Sequence, residues 1–585
     1  MFQTPTPDLG ALRRLLLAAA VVSLVVAALL SLTYGPRFGL TLGDTDDAMR
    51  LSMVRDLLHG RGWYDQNIAR LQPPLGAYMH WSRLVDGGIA GLTVLLGPVL
   101  GAGAEAGARF LWPMLWIWPA VVSTLLLARR LGGGAAVLPT AVLLAVGLPL
   151  YAQFAPGRID HHGVMLALTL VAAAGASEGG VLAAALSAAA MALDLAVGLE
   201  ALLFCAAIAG AMALRFAFDA GARRATLAFG VTLAVASGAV FLIQTPPGRW
   251  GLAVCDAMGV NLALGLCVGG AGLALAAMAC GKTATAPRVL AVLGAGAAAL
   301  VAYLAPDIRC AGGPMAEIDP RLWGFWFAHI QELASWPQLY ATRPDQVVVC
   351  VLTALLSLGA LGAALVDPVR RGDFAWRLVG ACLALAAALD ASAARMESYL
   401  LWMAVPVLAA ALTALSAARF KQGLVPTLAL ALLVSATPMN ALAQALYARK
   451  TMGQAAQNRA DHCDDTTAFA RLAHLPPGLV LSEIDLGPAI LAQTPHAVLN
   501  APYHRMVWGV LSAQAALTAP ADLARAKLRA LRVDYVAACP AHAGLYTHVH
   551  APPYSLVRAL DHGAAPAWLT PLSDPDEALQ LYRVS

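Results

Sequence analysis

Residues 15–32, LLLAAAVVSLVVAALLSL, form an unbroken apolar run directly behind the basic pair Arg13 and Arg14. As a helix this run is about 27 Å long, close to the roughly 30 Å hydrocarbon core of a bilayer. It exceeds the roughly 7–15 apolar residues of a signal peptide, and no small-residue cleavage site precedes the next polar segment, so it reads as an uncleaved anchor. The rest of the chain repeats the theme. Of 585 residues 59% are hydrophobic and only 12% charged, where a soluble protein carries about 25% charged residues. Mean hydropathy is +0.69. These features predict an α-helical polytopic membrane protein.

Charge placement orients the spans. The net charge is +4, but the basic residues fall in short clusters at helix ends rather than on one stripe, which argues for topology and against a nucleic-acid partner. With about thirteen spans, Arg13/Arg14, Arg129/Arg130, Arg215/Arg223/Arg224, Lys282/Arg288, Arg370/Arg371/Arg377 and Arg419/Lys421 share one face, the cytoplasmic one. This places residues 1–446 in a transmembrane unit with a first outer loop at 34–107 and a long outer loop at 306–345. Phe110–Leu127 is expected to be one helix, and Ile89–Leu100, apolar but short, a re-entrant or interfacial piece. Residues 447–585 trade Leu and Ala runs for Asp, His and Pro. They predict a small outer α/β domain with strands at Gly478–Ser482 and Val533–Ala538 and a helix at Pro520–Leu531.

The nine cysteines show no metal-binding spacing. Cys205, Cys255, Cys267, Cys280, Cys350 and Cys382 lie in or beside apolar runs and read as small membrane-buried residues. Cys310, Cys463 and Cys539 lie in polar segments, and a Cys463–Cys539 disulfide is open if that side is oxidising.

Two outer segments carry candidate chemistry. In GDTDDAMR, Asp44 suits a helix N-cap, with Asp46 and Asp47 stabilising the first turn. Three carboxylates in four residues exceed what capping needs, and the alternative is a divalent-cation site of the Mn²⁺ or Mg²⁺ type. In FAPGRIDHHGVM, Asp160 and His162 can face one ion together, the alternative being an interfacial cluster with Arg158 and His161.

An acidic first outer loop, a D-x-[DEH] turn in the second, about thirteen spans and an outward C-terminal domain resemble the catalytic subunit of oligosaccharyltransferases, which are GT-C fold enzymes. The DHH form resembles the archaeal version and implies that Asp160 and His162 bind the catalytic metal. Aligning DTDDAMR on the family's D-P-x-x-x-x-R implies Asp44 as a further ligand, whereas aligning on Arg55–Asp56 implies Asp46 or Asp47. The resemblance further implies catalytic roles for Asp44, Asp47 and Glu332 (in HIQELASW), and donor-phosphate contacts from Arg395 (in AARMESYLL) and Arg158. Arg395 pairing with Glu397 is the alternative. The acceptor-reading W-W-D-Y-G motif is not reproduced: SEIDLGPAI keeps Asp485 and Gly487 but neither tryptophan. His161, Asp485, Tyr503, His504 and Arg505 remain as acceptor-binding candidates.

The function so implied is metal-dependent, inverting transfer of a sugar from a polyprenyl-(pyro)phosphate donor in the membrane lipid to an acceptor protein or glycan. It would take place at the outer face of a bacterial inner membrane, with the C-terminal domain periplasmic. A transferase moving single sugars from a polyprenyl monophosphate to a lipid-linked glycan or polysaccharide is the alternative within the fold. A transporter or flippase is the alternative outside it, supported by Asp194 and Glu200 within an apolar stretch.

Overall fold

A computed structural model describes residues 9–419, 423–447, 462–544 and 546–585; Lys421 of the last basic cluster and the junction expected at residue 447 onward lie at or outside these limits. The first apolar run becomes helix α1, Leu9–Tyr34. Eight helices among the described residues are long and apolar enough to cross a membrane, or ten if two bent pairs each count as one. Three further apolar helices, α3 (His162–Glu178), α4 (Val181–Val197) and α5 (Leu202–Phe218), are 17 residues each. The protein is an α-helical polytopic membrane protein.

The segment expected as one helix over Phe110–Leu127 is instead two, Ala104–Leu115 and Ile117–Gly132, interrupted at Trp116. Pro119 lacks the amide that would bond the Leu115 carbonyl, which breaks the ladder there. The Ile89–Leu100 stretch belongs to a longer helix, Arg83–Leu100, that packs on Ala104–Leu115.

The basic clusters gather at one end of the bundle. Arg129 pairs with Glu178 at 3.6 Å and Arg130 with Asp373 at 2.9 Å. Arg215 lies over the Phe374 ring at 4.6 Å. Arg223 donates to the Ala277 carbonyl at 3.0 Å, and Arg288 donates to that of Ala217 at 3.1 Å. Glu178 ends the helix that His162 begins, so this basic layer stands about 25 Å from the Asp160–His162 turn.

At the other end the segments expected as outer loops fold together. A short helix α2, Thr45–Leu58, is buried around its whole circumference from Asp47 to Val54, because it is covered on both sides. Arg50 reaches Asp86 at 2.6 Å and lies 4.6 Å over Trp81, tying α2 to the start of the Arg83–Leu100 helix. On its other side α2 packs against Leu486–Gln493 of the C-terminal unit. That unit is a five-stranded sheet in the order β4-β3-β5-β7-β6, with β3 Leu479–Leu481, β4 Ala497–Val498, β5 Tyr535–Ala538, β6 Leu569–Pro571 and β7 Gln580–Val584. β3 pairs in parallel with β4 and β5, and β7 is antiparallel to both β5 and β6. β3, β5 and the helix Ala521–Ala530 match the expected elements to within two residues. The first outer loop contributes its own ribbon, β1 Asn67–Ile68 with β2 Ala77–Tyr78. It also extends the sheet edge: Gln72 N–H donates to the Val498 carbonyl at 2.8 Å, and Val498 N–H donates to that of Arg70 at 2.9 Å. One apolar core therefore spans three segments: Met49, Met53, Leu71 and Trp81 from the first loop, Leu322 and Phe327 from the long loop, and Phe469, Val480 and Ile490 from the C-terminal unit.

Two disulfides lie at this end. Cys463–Cys539 forms, as the open alternative allowed. Cys255, expected as a membrane-buried thiol, instead pairs with Cys310. Its apolar neighbours are the loop between helices Arg223–Gln244 and Val260–Cys280, folded over the site rather than set in lipid. Alkylation of the denatured, unreduced protein should therefore label Cys205, Cys267, Cys280, Cys350 and Cys382 and spare the other four. Labelling of Cys255 or Cys463 before reduction, read by peptide mass spectrometry, would contradict the pairing.

Candidate functional site

Local structure at α2 begins with Gly43, whose φ of +94° is left-handed; a Cβ there would meet the Asp47 carboxylate at 2.3 Å. This lets Asp44 cap the helix. Its Oδ1 accepts from the amides of Asp46 and Asp47 at 3.0 Å each, and Asp47 Oδ2 accepts from the Asp44 amide at 3.2 Å. The capping expectation holds. Asp47 does more than cap, however: its Oδ1 accepts from the amides of Ile159 at 2.7 Å and Asp160 at 3.0 Å, so one buried carboxylate joins the first outer loop to the second.

Arg158 lies among the acids this creates. It contacts Asp44, and it reaches Asp47 at 3.0 Å and Asp160 at 2.5 Å. One oxygen from each of Asp44, Asp47 and Asp160 lies within 4.8 Å of the others, so Asp47 rather than Asp46 completes the convergent set. Arg158 is thus directed at the carboxylates, and it lines neither of the two cavities of this region. Burial raises Asp46, and repulsion from Asp44, Glu332 and Asp160 adds to it. Burial also disfavours the Asp160 anion, but Arg158, His162 and His161 outweigh it and hold its pKa below the usual carboxylate range. An all-oxygen set with more anions than cations fits a hard divalent ion.

Asp160 Oδ1 accepts from the His162 amide at 3.0 Å, starting α3. The His162 ring turns to Glu200, its Nδ1 at 2.8 Å from Oε2, instead of to the acidic cluster. Arg395 binds Glu200 at 2.8 Å and approaches Glu332 at 3.5 Å, whereas Glu397, the alternative partner, accepts from Gln346 at 2.5 Å. Burial works against the Glu200 anion, yet His162 and Arg395 pull it well below the usual range. His161 is held down to about 3 by burial and by His162, so its ring is neutral at neutral pH.

Two cavities meet at this point. One, of about 390 Å³, is lined by Asp46, Trp81, His161, Tyr503, His504 and Arg505 among others. The second, of about 550 Å³, opens among Leu30, Thr33 and Tyr34 of α1, Thr437 and Asn440 of a late helix, and Arg343. His162, Glu332 and Arg395 line both and form the wall between them. Tyr503 donates to the Thr45 carbonyl at 3.2 Å, locking the C-terminal unit onto the start of α2. His504 and Arg505 both bind Asp256, at 2.7 Å and 2.5 Å. Asp485 is the exposed residue before Leu486–Gln493 and lines neither cavity.

Glu200, Asp256 and His80 were not read from sequence as site residues. Glu200 looked intramembrane, but α4 ends at Val197 and α5 starts at Leu202, so it stands at the bundle end in the site. The legible signal was Gly198, where a Cβ would meet Met165 at 2.6 Å and His161 at 3.2 Å.

No family model matches the chain, and no curated protein matches it in sequence. Solved structures do. The archaeal oligosaccharyltransferase AglB of Archaeoglobus fulgidus, in complex with an inhibitory peptide and a dolichol-phosphate, superposes with a TM-score of 0.70 at 14% identity, covering 98% of this chain and 74% of that one. Its apo form gives 0.70 at 14% identity over 97% and 74%. A complex of the same enzyme with Zn and sulfate gives 0.56 at 14% identity over 97% and 72%.

Replacing Arg158 with Ala leaves three close carboxylates without their cation and should cost about 3–5 kcal/mol of stability in chelator. Added Mn²⁺ should restore much of the loss. In the variant, burial and mutual repulsion raise the acid pKa values, and a raised carboxyl pKa loses stability as pH rises, so the deficit should shrink on acidification from pH 8 to about pH 5. Melting in detergent that is the same for wild type and variant, with and without Mn²⁺, would contradict this. The arrangement of helices and sheet is that of the archaeal oligosaccharyltransferase, a GT-C fold.

Proposed function

We propose that the chain is an inverting, metal-dependent glycosyltransferase that uses a polyprenyl-phosphate-linked sugar donor. The observation that carries this reading is the pair of cavities separated by the His162–Glu332–Arg395 wall, with the acidic cluster beside it. The cavity bordered by α1 and the late helix suits a lipid-borne donor, with Arg395 at the phosphate; the cavity under the C-terminal unit suits an acceptor. Attack across the wall, opposite the departing phosphate, inverts the anomeric centre. The acceptor oxygen forms the new bond as the sugar–phosphate bond breaks, its proton passing to Asp46 or Glu332, two of the four carboxylates bordering that cavity and the two not committed to a histidine–arginine pair. Arg395 meets the charge developing on the phosphate. A divalent ion held by Asp44, Asp47 and Asp160 would supply further positive charge there. The neighbour bound to dolichol-phosphate and an inhibitory peptide supports the two substrate roles, and the one with Zn and sulfate supports a cation with an anion.

The basic layer at the far end and the two disulfides at the site end support an outward-facing site, with the C-terminal unit in the periplasm of a bacterial inner membrane. The second reading, single-sugar transfer to a lipid-linked glycan, is favoured by one observation: Ser482–Gly487 supplies no tryptophan for peptide recognition. The sequence support for transport narrows to Asp194, because Glu200 lies in the turn at the bundle end; Asp194 accepts from Thr169 at 2.6 Å.

In membranes supplied with labelled polyprenyl-linked donor, Asp160→Ala and Arg395→Ala should each lower transfer about 10²–10³-fold while remaining folded. Mass spectrometry of lipid-linked glycans and glycoproteins identifies the acceptor. Full activity in Asp160→Ala rejects the site, and movement of substrate across liposomes with no glycosidic bond formed rejects the reaction.

A further inference from the structure

His80, Asp256 and His504 come from three separate segments: the first outer loop after β2, the loop between Gln244 and Val260, and the C-terminal unit. One ligand atom of each lies within 4.8 Å of the other two. The imidazole rings are 4.8 Å apart, and His504 Nε2 is 2.7 Å from Asp256 Oδ2. Arg505 grips the same carboxylate, Nη2 to Oδ1 at 2.5 Å and Nε to Oδ2 at 2.8 Å. Nδ1 of His80 is buried and has no hydrogen-bond partner, a state that costs free energy unless something satisfies the nitrogen.

The geometry points to a second metal centre, separate from the acidic cluster, in which His80, Asp256 and His504 bind a zinc-type ion. Two imidazoles and one carboxylate form a donor set for a borderline transition metal; magnesium and calcium take oxygen ligands. Three protein ligands leave the fourth tetrahedral position for water. Zinc ligands about 2.1 Å from the ion sit about 3.4 Å apart, so a modest inward turn of the His80 ring closes the present spacing. The ion takes the place of the proton shared by His504 and Asp256, while Arg505 keeps its hold on Oδ1 and fixes the carboxylate's orientation. Its role is to clamp the three segments into one cavity wall. The 245–259 loop that carries Asp256 is already held at the adjacent Cys255–Cys310 disulfide. The clamp does not depend on any transfer reaction.

The test loads chelator-stripped, detergent-purified protein with Co²⁺ as the probe. Wild type should take up Co²⁺ with the intense visible bands of a tetrahedral site, and Zn²⁺ should displace it. His80→Ala and His504→Ala should weaken uptake at this site by about 100-fold or more, whereas Asp44→Asn should keep the spectrum. If the alanine variants fail to elute as folded protein, His80→Cys, which preserves a ligand, should restore binding with an added thiolate charge-transfer band. Uptake in wild type that gives only weak octahedral bands, or a tetrahedral spectrum unchanged in His80→Ala and lost in Asp44→Asn, overturns the proposal.

Discussion

The carboxylate of Asp47 is the joint on which the site end of the molecule depends. It is fully buried, closes the capping box of α2, and accepts the amides of Ile159 and Asp160. Those amides belong to the turn that aims Asp160 at the cluster and starts α3. A buried anion needs this many donors to be tolerated. The same bonds that satisfy Asp47 therefore fix the distance between two loops more than a hundred residues apart in sequence.

Around that joint the charges are sorted by depth. Arg158, His162 and Arg395 meet Asp44, Asp47, Asp160, Glu200 and Glu332 at the site end, and the clustered basic residues, Arg129 and Arg130 paired with Glu178 and Asp373, form the layer at the other end. Between them the helices offer lipid mostly Leu, Val and Ala. The pairs Arg158–Asp160 and Arg395–Glu200 are largely sheltered from water, which strengthens each and makes removal of one partner costly. Arg395 illustrates the balance: by holding Glu200 and approaching Glu332, it keeps a cation on the wall between two cavities without leaving it unpaired.

Much of this was legible in the residues. Apolar runs and basic clusters predict the helical bundle and its charged ends, and GDTDDAMR and IDHH mark the two loops that meet, because several ionisable groups beside a membrane helix need partners. The C-terminal strands followed from short apolar segments in a region that trades Leu and Ala runs for Asp, His and Pro. The make-up of the carboxylate cluster was only partly legible: helical spacing does not say whether Asp46 or Asp47 turns toward Asp160, since that depends on a tertiary bond to another loop. Glu200 was misplaced because two short helices separated by Gly198 read as one apolar stretch. Cys255 was misread for a similar reason, its apolar neighbours covering a site instead of facing lipid. Asp256 and His80 gave no local signal; only the meeting of three distant segments gives them partners.

The backbone pairing of Arg70–Gln72 with Val498 joins residues more than four hundred positions apart. The early loop therefore gains the neighbour it is shaped for only once the chain through Val498 has been made and has folded back onto it. A nascent or prematurely terminated chain anchored in the bilayer would carry the Asp44–Asp47 segment without its cover. The Asp44–Asp47 segment thus reaches its final surroundings only when residues of the C-terminal unit arrive beside it.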